Sequence, residues 1–212
     1  MALRLGSGLI VANTHLDAYA ESVRLAQLRL LRERLSWAHG STGQIWWHAK
    51  PLLLLGDFNA LRRADYSDDQ WEDLTQRRAA VGIQSELDVT RELEIGPTVE
   101  AESWQLADCR ALADEVCGPL ATSMYGVRID YAWASAGALA MWRIARVAHV
   151  ELPRTMTDHA LVVCDLSPRT AGHADCATMA EDVSTPGFEM PDVPKGMVVE
   201  ASGSVGGKEG GS

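Results

Sequence analysis

Four short stretches place polar side chains next to apolar runs. The run Gly8 to His15 ends in Asn13-Thr14-His15, followed by Leu16-Asp17. Pro51 to Leu55 is wholly apolar and passes straight into Gly56-Asp57-Phe58-Asn59-Ala60. Asp130 sits in Arg128-Ile129-Asp130-Tyr131, inside an otherwise apolar segment. Thr157-Asp158-His159 directly precedes Ala160 to Leu166. Asp57 and Asn59 are two positions apart, so on extended backbone they point to one side. A carboxylate beside an amide can orient a water and also donate a hydrogen bond to a phosphate oxygen. Gly56 permits a close backbone approach just before them. Asp130 needs a partner if it is buried. Adjacent Asp158 and His159 could supply one carboxylate to a metal and one imidazole to a reacting phosphate. Each stretch also has a plainer reading by itself: a satisfied histidine, a turn, a salt bridge to an arginine, a polar loop.

The surrounding pattern says what positions these residues. Gly8 to His15 reads as a buried strand. Ala20 to Ala38 carries Val23, Ala26, Leu28, Leu31 and Leu35 at helical spacing, with Arg24, Arg29, Arg32 and Glu33 mostly off that stripe. Gly40 to Gly43 is a turn-rich break. Pro51 to Leu55 suits a central strand buried on both faces. Ser67 and Gln70 form a capping box, opening a helix that turns Trp71, Leu74 and Val81 inward and stops at Gly82. Gln84 to Glu102 shows no period, and Trp104 to Ala113 is a short helix or turn. Met124 to Ser135, Trp142 to Val150 and Ala160 to Leu166 read as strands. Helices and strands interleave first and strands dominate later, so the expected class is α/β with mixed sheets. All four polar stretches lie at or near strand ends, where such folds place their sites.

Composition narrows the partners. The 212 residues carry a net charge of −10, and seven acidic against two basic residues fall between Ala171 and Ser212. No basic stripe is present, which argues against tight non-specific nucleic-acid binding but not against a nuclease whose metal supplies the positive charge. No apolar run approaches a membrane span, and no signal peptide is apparent, so a soluble intracellular protein is the default. Cys109, Cys117, Cys164 and Cys176 form no CxxC pair and are read as free thiols. Residues 168–212, rich in Gly, Pro, Ser and acids, are read as a disordered tail behind a domain over residues 1–167.

Taken together and in this order, THL, GDFNA, RIDY and TDH resemble the C-terminal motifs of the endonuclease/exonuclease/phosphatase superfamily. Asn13 to Leu35 is also similar to that family's histidine strand and following helix. The resemblance spans about residues 8 to 167. It implies two mixed β-sheets packed as a deoxyribonuclease-I-like sandwich with outer helices, and a phosphate-ester substrate, either nucleic acid or a phosphorylated small molecule or lipid. It implies that Asp57 orients or deprotonates water and shares in metal binding, and that Asn59 binds a phosphate oxygen or the hydrated metal. His159 would stabilise developing charge, with Asp130 holding its ring. Asp158 would be a metal ligand, and His15 would contact the phosphate or protonate the leaving oxygen. The metal would be Mg²⁺, with Mn²⁺ as the substitute. The family's first third, with its Gln-Glu metal-ligand strand, has no counterpart here. The expectation is therefore an incomplete N-terminal sheet and an impaired enzyme. The alternative is a non-catalytic remnant that binds a phosphorylated ligand or a protein partner. The tryptophans Trp46, Trp47, Trp71, Trp104, Trp133 and Trp142 could stack on bases, though core packing is the commoner use of such residues.

Overall fold

Leu52 to Leu55 is leucine at every position, and such a run can only be satisfied with apolar neighbours on both faces. The computed structural model, which describes residues 1–38, 50–94 and 104–169, places it centrally. Strand β3 (Leu52–Asp57) lies between β2 (Ile10–His15), parallel to it, and β6 (Asp130–Ser135), antiparallel. β1 (Ala2–Arg4) extends the sheet beyond β2 and β4 (Leu106–Asp108) closes it beyond β6, in the order β1-β2-β3-β6-β4. A second mixed sheet has the order β5-β7-β8, from Glu115–Cys117, Trp142–Val150 and Leu161–Pro168. The protein is thus α/β with two mixed sheets and flanking helices, as its pattern implies.

The two faces of the first sheet feed two cores. Leu52, Leu54, Tyr131 and Trp133 pack outward against Leu28 and Leu35 of helix α1 (Glu21–Ala38) and against Val89 and Leu93 of α3 (Asp88–Leu93). Leu53, Ala132 and Ala134 pack inward against Ile144 and Val147 of the second sheet, with Cys109 of α4 (Cys109–Leu112) and Ala138 of α5 (Ala136–Met141). Each fully buried leucine contributes about 1.5–3 kcal/mol by leaving water. Ser135 fixes the start of β3: its Oγ accepts from Leu52 N at 2.9 Å and donates to the Lys50 carbonyl.

Helix α2 (Asp68–Ala80) keeps both of its expected ends. Ser67 Oγ accepts from Gln70 N, and the Gln70 side chain accepts from Ser67 N, which completes the box. At the other end Gly82 adopts φ 75°, with Gly82 N donating to Ala79 O and Ile83 N to Arg78 O. That pairing is a Schellman stop.

Several expectations need correction. In α1, Val23 is exposed and Arg24 is buried. The helix's N-terminal end turns Arg24 inward because it finds partners there: it bonds Glu86 at 2.6 Å and the Asp17 carbonyl at 3.0 Å, while Glu21 accepts from Val89 N. Val81, expected inward, is exposed at the helix stop. Met124 to Ser135 is not one strand. Residues 123–126 make a turn with Gly126 at φ 74°, and β6 begins only at Asp130. Helix α3 falls in a stretch without visible period, and β1, β5 and α5 were not expected at all.

A buried ion network anchors the segment entering β6. Arg128, 1% exposed, grips Asp108 with two bonds of 2.7 Å and reaches Asp65 at 3.2 Å. Its guanidinium also lies 4.3 Å from the Tyr131 ring centre. Arg62 joins the same carboxylates and Glu94. Cys109, Cys117 and Cys164 are free thiols. Trp104 and Trp133 are wholly buried, which removes them as base-stacking platforms. Trp46, Trp47, Cys176 and the Gly40–Gly43 break lie outside the described residues, as does the tail expected over residues 168–212 except its first two residues, of which Pro168 ends β8. Among the described residues no helix is long and apolar enough to cross a membrane.

Candidate functional site

Sheet register assembles the site. His15, Asp57 and Asp130 end or begin three adjacent strands: His15 pairs with Asp57, and Asp57 pairs with Asp130. All three residues therefore lie side by side at one end of three neighbouring strands. Gly56 makes this possible. It adopts φ 133°, and a Cβ there would lie 1.8 Å from the Thr14 carbonyl oxygen, so any other residue would force β2 and β3 apart.

Asp57 is 9% exposed. Burial, with the nearby Asp130 carboxylate adding to it, pushes its pKa above the ordinary 3.8, although the Asn59 amide and the two histidines pull the other way. Its Oδ1 accepts from Asn59 N at 2.8 Å, a local turn that holds Asn59 at φ 48°. Asparagine is among the few side chains that tolerate that conformation. Asn59 Nδ2 donates one hydrogen to the Leu16 carbonyl at 2.9 Å, which leaves the other N–H of the amide for a ligand.

His159 comes from the loop before β8 and is placed by short tethers. Ala160 N donates to the Thr122 carbonyl, Met124 N donates to the Asp158 carbonyl, and His159 N donates to Thr157 Oγ1. Thr122 Oγ1 in turn accepts from Asp130 N and Ile129 N, both at 3.0 Å. One threonine thus ties the Asp130 strand to the His159 loop. A lone hydroxyl in a turn carries no sequence signal, so Thr122 was not among the expected residues.

The result is an Asp–His pair. His159 Nδ1 lies 2.9 Å from Asp130 Oδ2 and 3.8 Å from Asp57 Oδ2. Partial burial disfavours a charged ring, yet the Asp130 bond and the charges of Asp130, Asp57 and Asp158 raise the His159 pKa above 6.5. With Nδ1 held by Asp130, Nε2 is the nitrogen left to face a ligand. On the other flank His15 Nε2 stands 3.6 Å from Asp57 Oδ2, with its side chain 74% exposed.

Ligand atoms of Asp57, Asp130 and His159 all lie within 4.8 Å of one another. With Nδ1 committed to Asp130, the donors left are the carboxylate oxygens of Asp57 and Asp130 and His159 Nε2. That chemistry suits a hard ion such as Mg²⁺, which takes one or two carboxylates and keeps several waters. Asp158 is outside this group, and its side chain is exposed. Asp130 does not pair with an arginine; Arg128 turns away to Asp108. Asp158 and His159 are among the residues that line an open cleft of about 340 Å³, with Glu151, Arg154 and Thr157.

No protein-family model and no curated protein matches the sequence. Solved structures do match its course. An endonuclease/exonuclease/phosphatase from Bacteroides vulgatus is 19% identical at TM-score 0.43, covering 77% of this chain and 51% of its own. A mannosyl-6-phosphatase from Bacteroides thetaiotaomicron is 16% identical at TM-score 0.43, with coverage of 75% and 51%. A conserved protein of unknown function from Enterococcus faecalis is 20% identical at TM-score 0.43, with coverage of 76% and 50%. The chain therefore spans about half the length of the solved structures it matches.

Proposed function

We propose that the chain carries the water-activating half of a metal-dependent phosphoric ester hydrolase. The observation that supports this most is the Asp130–His159 pair at 2.9 Å set beside the buried Asp57 carboxylate. Asp57 would take that proton. The water oxygen would then join phosphorus, and the ester P–O bond would break. Protonated His159 would face the charge that builds on the phosphoryl oxygens, with Asp130 holding its ring and sustaining its charge. His15 stands where it could hand a proton to the departing alkoxide, and the spare Asn59 N–H could bind a phosphoryl oxygen. Asp57 would hold the metal, with Asp158 the further carboxylate on the adjoining loop. Mg²⁺ or Mn²⁺ supplies Lewis-acid chemistry when bound.

Hydrolysis of bis-p-nitrophenyl phosphate with and without Mg²⁺ or Mn²⁺ tests this reading. Metal-dependent turnover is expected, and Asp57→Ala and His159→Ala should each lower it by roughly 10²- to 10⁴-fold. Turnover that survives both substitutions would overturn the assignment.

A second reading is favoured by one observation: Asp130 is committed to His159, which leaves few carboxylates for a metal. In that reading the same residues bind a phosphorylated ligand without cleaving it. A folded protein that binds inorganic phosphate but turns over no ester would support it.

A further inference from the structure

Two thiols meet in the core between the sheets, apart from the site described above. Alternation along β8 decides where Cys164 points. Cys164 and Leu166 pack against the inner cluster, while Asp165 between them bonds the exposed Arg146. Cys109 opens α4 and is wholly buried in that same cluster, together with Val147, the residue that Cys164 faces in the register of β7 and β8. The Cys109 thiol donates a hydrogen bond to the Cys164 sulfur. Cys117 has no such access. It pairs with Ala148 and Cys164 with Val147, and adjacent residues of β7 face opposite sides, so Cys117 lies on the other face of the sheet. Its Sγ is turned instead to Glu115 Oε1 at 3.1 Å.

The two sulfurs of the pair are not equivalent. The bond to Cys164 and burial push the Cys109 thiol well above the usual thiol range. The same bond pulls the Cys164 thiol down, against the opposing effect of burial. Cys164 is also partly exposed and lies on an edge strand of its sheet. It is the sulfur that ionises and meets a reagent from solvent, and Cys109 waits behind it.

We infer that Cys109 and Cys164 form a two-thiol oxidation site that reacts with hydroperoxides and closes to a disulfide between the two sheets. This is independent of the hydrolase reading. The Cys164 thiolate attacks one peroxide oxygen and the O–O bond breaks. The other oxygen leaves as water or an alcohol, taking up the proton that Cys164 released. Cys164 is then a sulfenic acid. The Cys109 sulfur attacks the Cys164 sulfur, the S–O bond breaks, and hydroxide leaves as water with the Cys109 proton. The thiols lose two electrons and two protons in all, and the peroxide is reduced. The closed loop contains Arg128, Asp130 and His159, so the bond ties together both ends of the chain that carries them.

The whole chain, reduced, exposed to hydrogen peroxide while folded, then unfolded and treated with iodoacetamide, should leave Cys109 and Cys164 unlabelled. A peptide digest should contain the two joined. Tm should rise by at least about 5 °C and fall back with dithiothreitol. In Cys109→Ala, dimedone should trap a sulfenic acid at Cys164. In Cys164→Ala, Cys109 should take up no dimedone. The digest of the parent protein needs no variant, so a substitution that fails to fold leaves the test intact. Alkylation of both thiols after peroxide, a bond to Cys117 or Cys176 in place of this one, or dimedone on Cys109 would overturn the inference.

Discussion

At the scale of single residues, the site depends on one charge interaction that can be read directly. Asp130 raises the His159 pKa against the opposing effect of burial. Asp130→Asn keeps the shape but removes the charge, so His159 should titrate at lower pH than in the parent protein. Following the ring protons by NMR across pH 5 to 9 checks this, and an unchanged midpoint would mean that Asp130 does not sustain the charge. The sign for stability follows. A histidine with a raised folded pKa stabilises the fold below its ordinary pKa and loses that contribution as pH rises through the raised value. In the sequence, Asp57, Asn59, Asp130 and His159 stood out because polar groups interrupted apolar runs. Thr122 did not, because a hydroxyl in a turn resembles any other until its neighbours are known.

At the scale of elements, the segment entering β6 is held by Arg128 between Asp108 and Asp65. Removing one member of a buried ion group leaves the others desolvated without compensation. Arg128→Met should therefore destabilise the protein by about 3–5 kcal/mol. A shift in the urea midpoint with little change in slope would show it. Legibility at this scale followed how local the cause is. The two ends of α2 were readable because capping box and glycine stop are written within a few residues. The inward face of α1 was misread because burial of Arg24 depends on Glu86, which lies 62 positions away in the chain. Strands β1 and β5 are short, and their existence rests on what they pair with. The long strand expected over Met124 to Ser135 failed for the same reason. Apolar content alone does not show that Gly126 turns the chain back.

At the scale of the whole molecule, pH acts through a second histidine. His149 is buried in β7, and its Nδ1 lies 2.9 Å from the Pro119 carbonyl and 3.1 Å from that of Leu120. Burial lowers its pKa below 6.5, and the nearby Arg110 and Arg128 charges lower it further. The unfolded chain therefore binds the proton more readily. Stability should fall as pH drops from about 6.5 toward the folded value, even though the net charge of −10 is being neutralised over the same range. His149→Gln retains a donor for the carbonyls but cannot titrate, so its unfolding free energy should slope less between pH 7 and 5. Equal slopes for the two proteins would place the pH response elsewhere. The central strand carries a different consequence. Four consecutive leucines satisfy both cores equally well if the strand slides by one position, so the hydrophobic pattern holds no address for it. That address is written at its two ends. Ser135 Oγ receives Leu52 N at one end, and at the other Gly56 fits against Thr14 where no side chain can. Two small residues, neither contributing much burial, thus decide whether Asp57 arrives opposite His15 and Asp130 or one residue out of step with both.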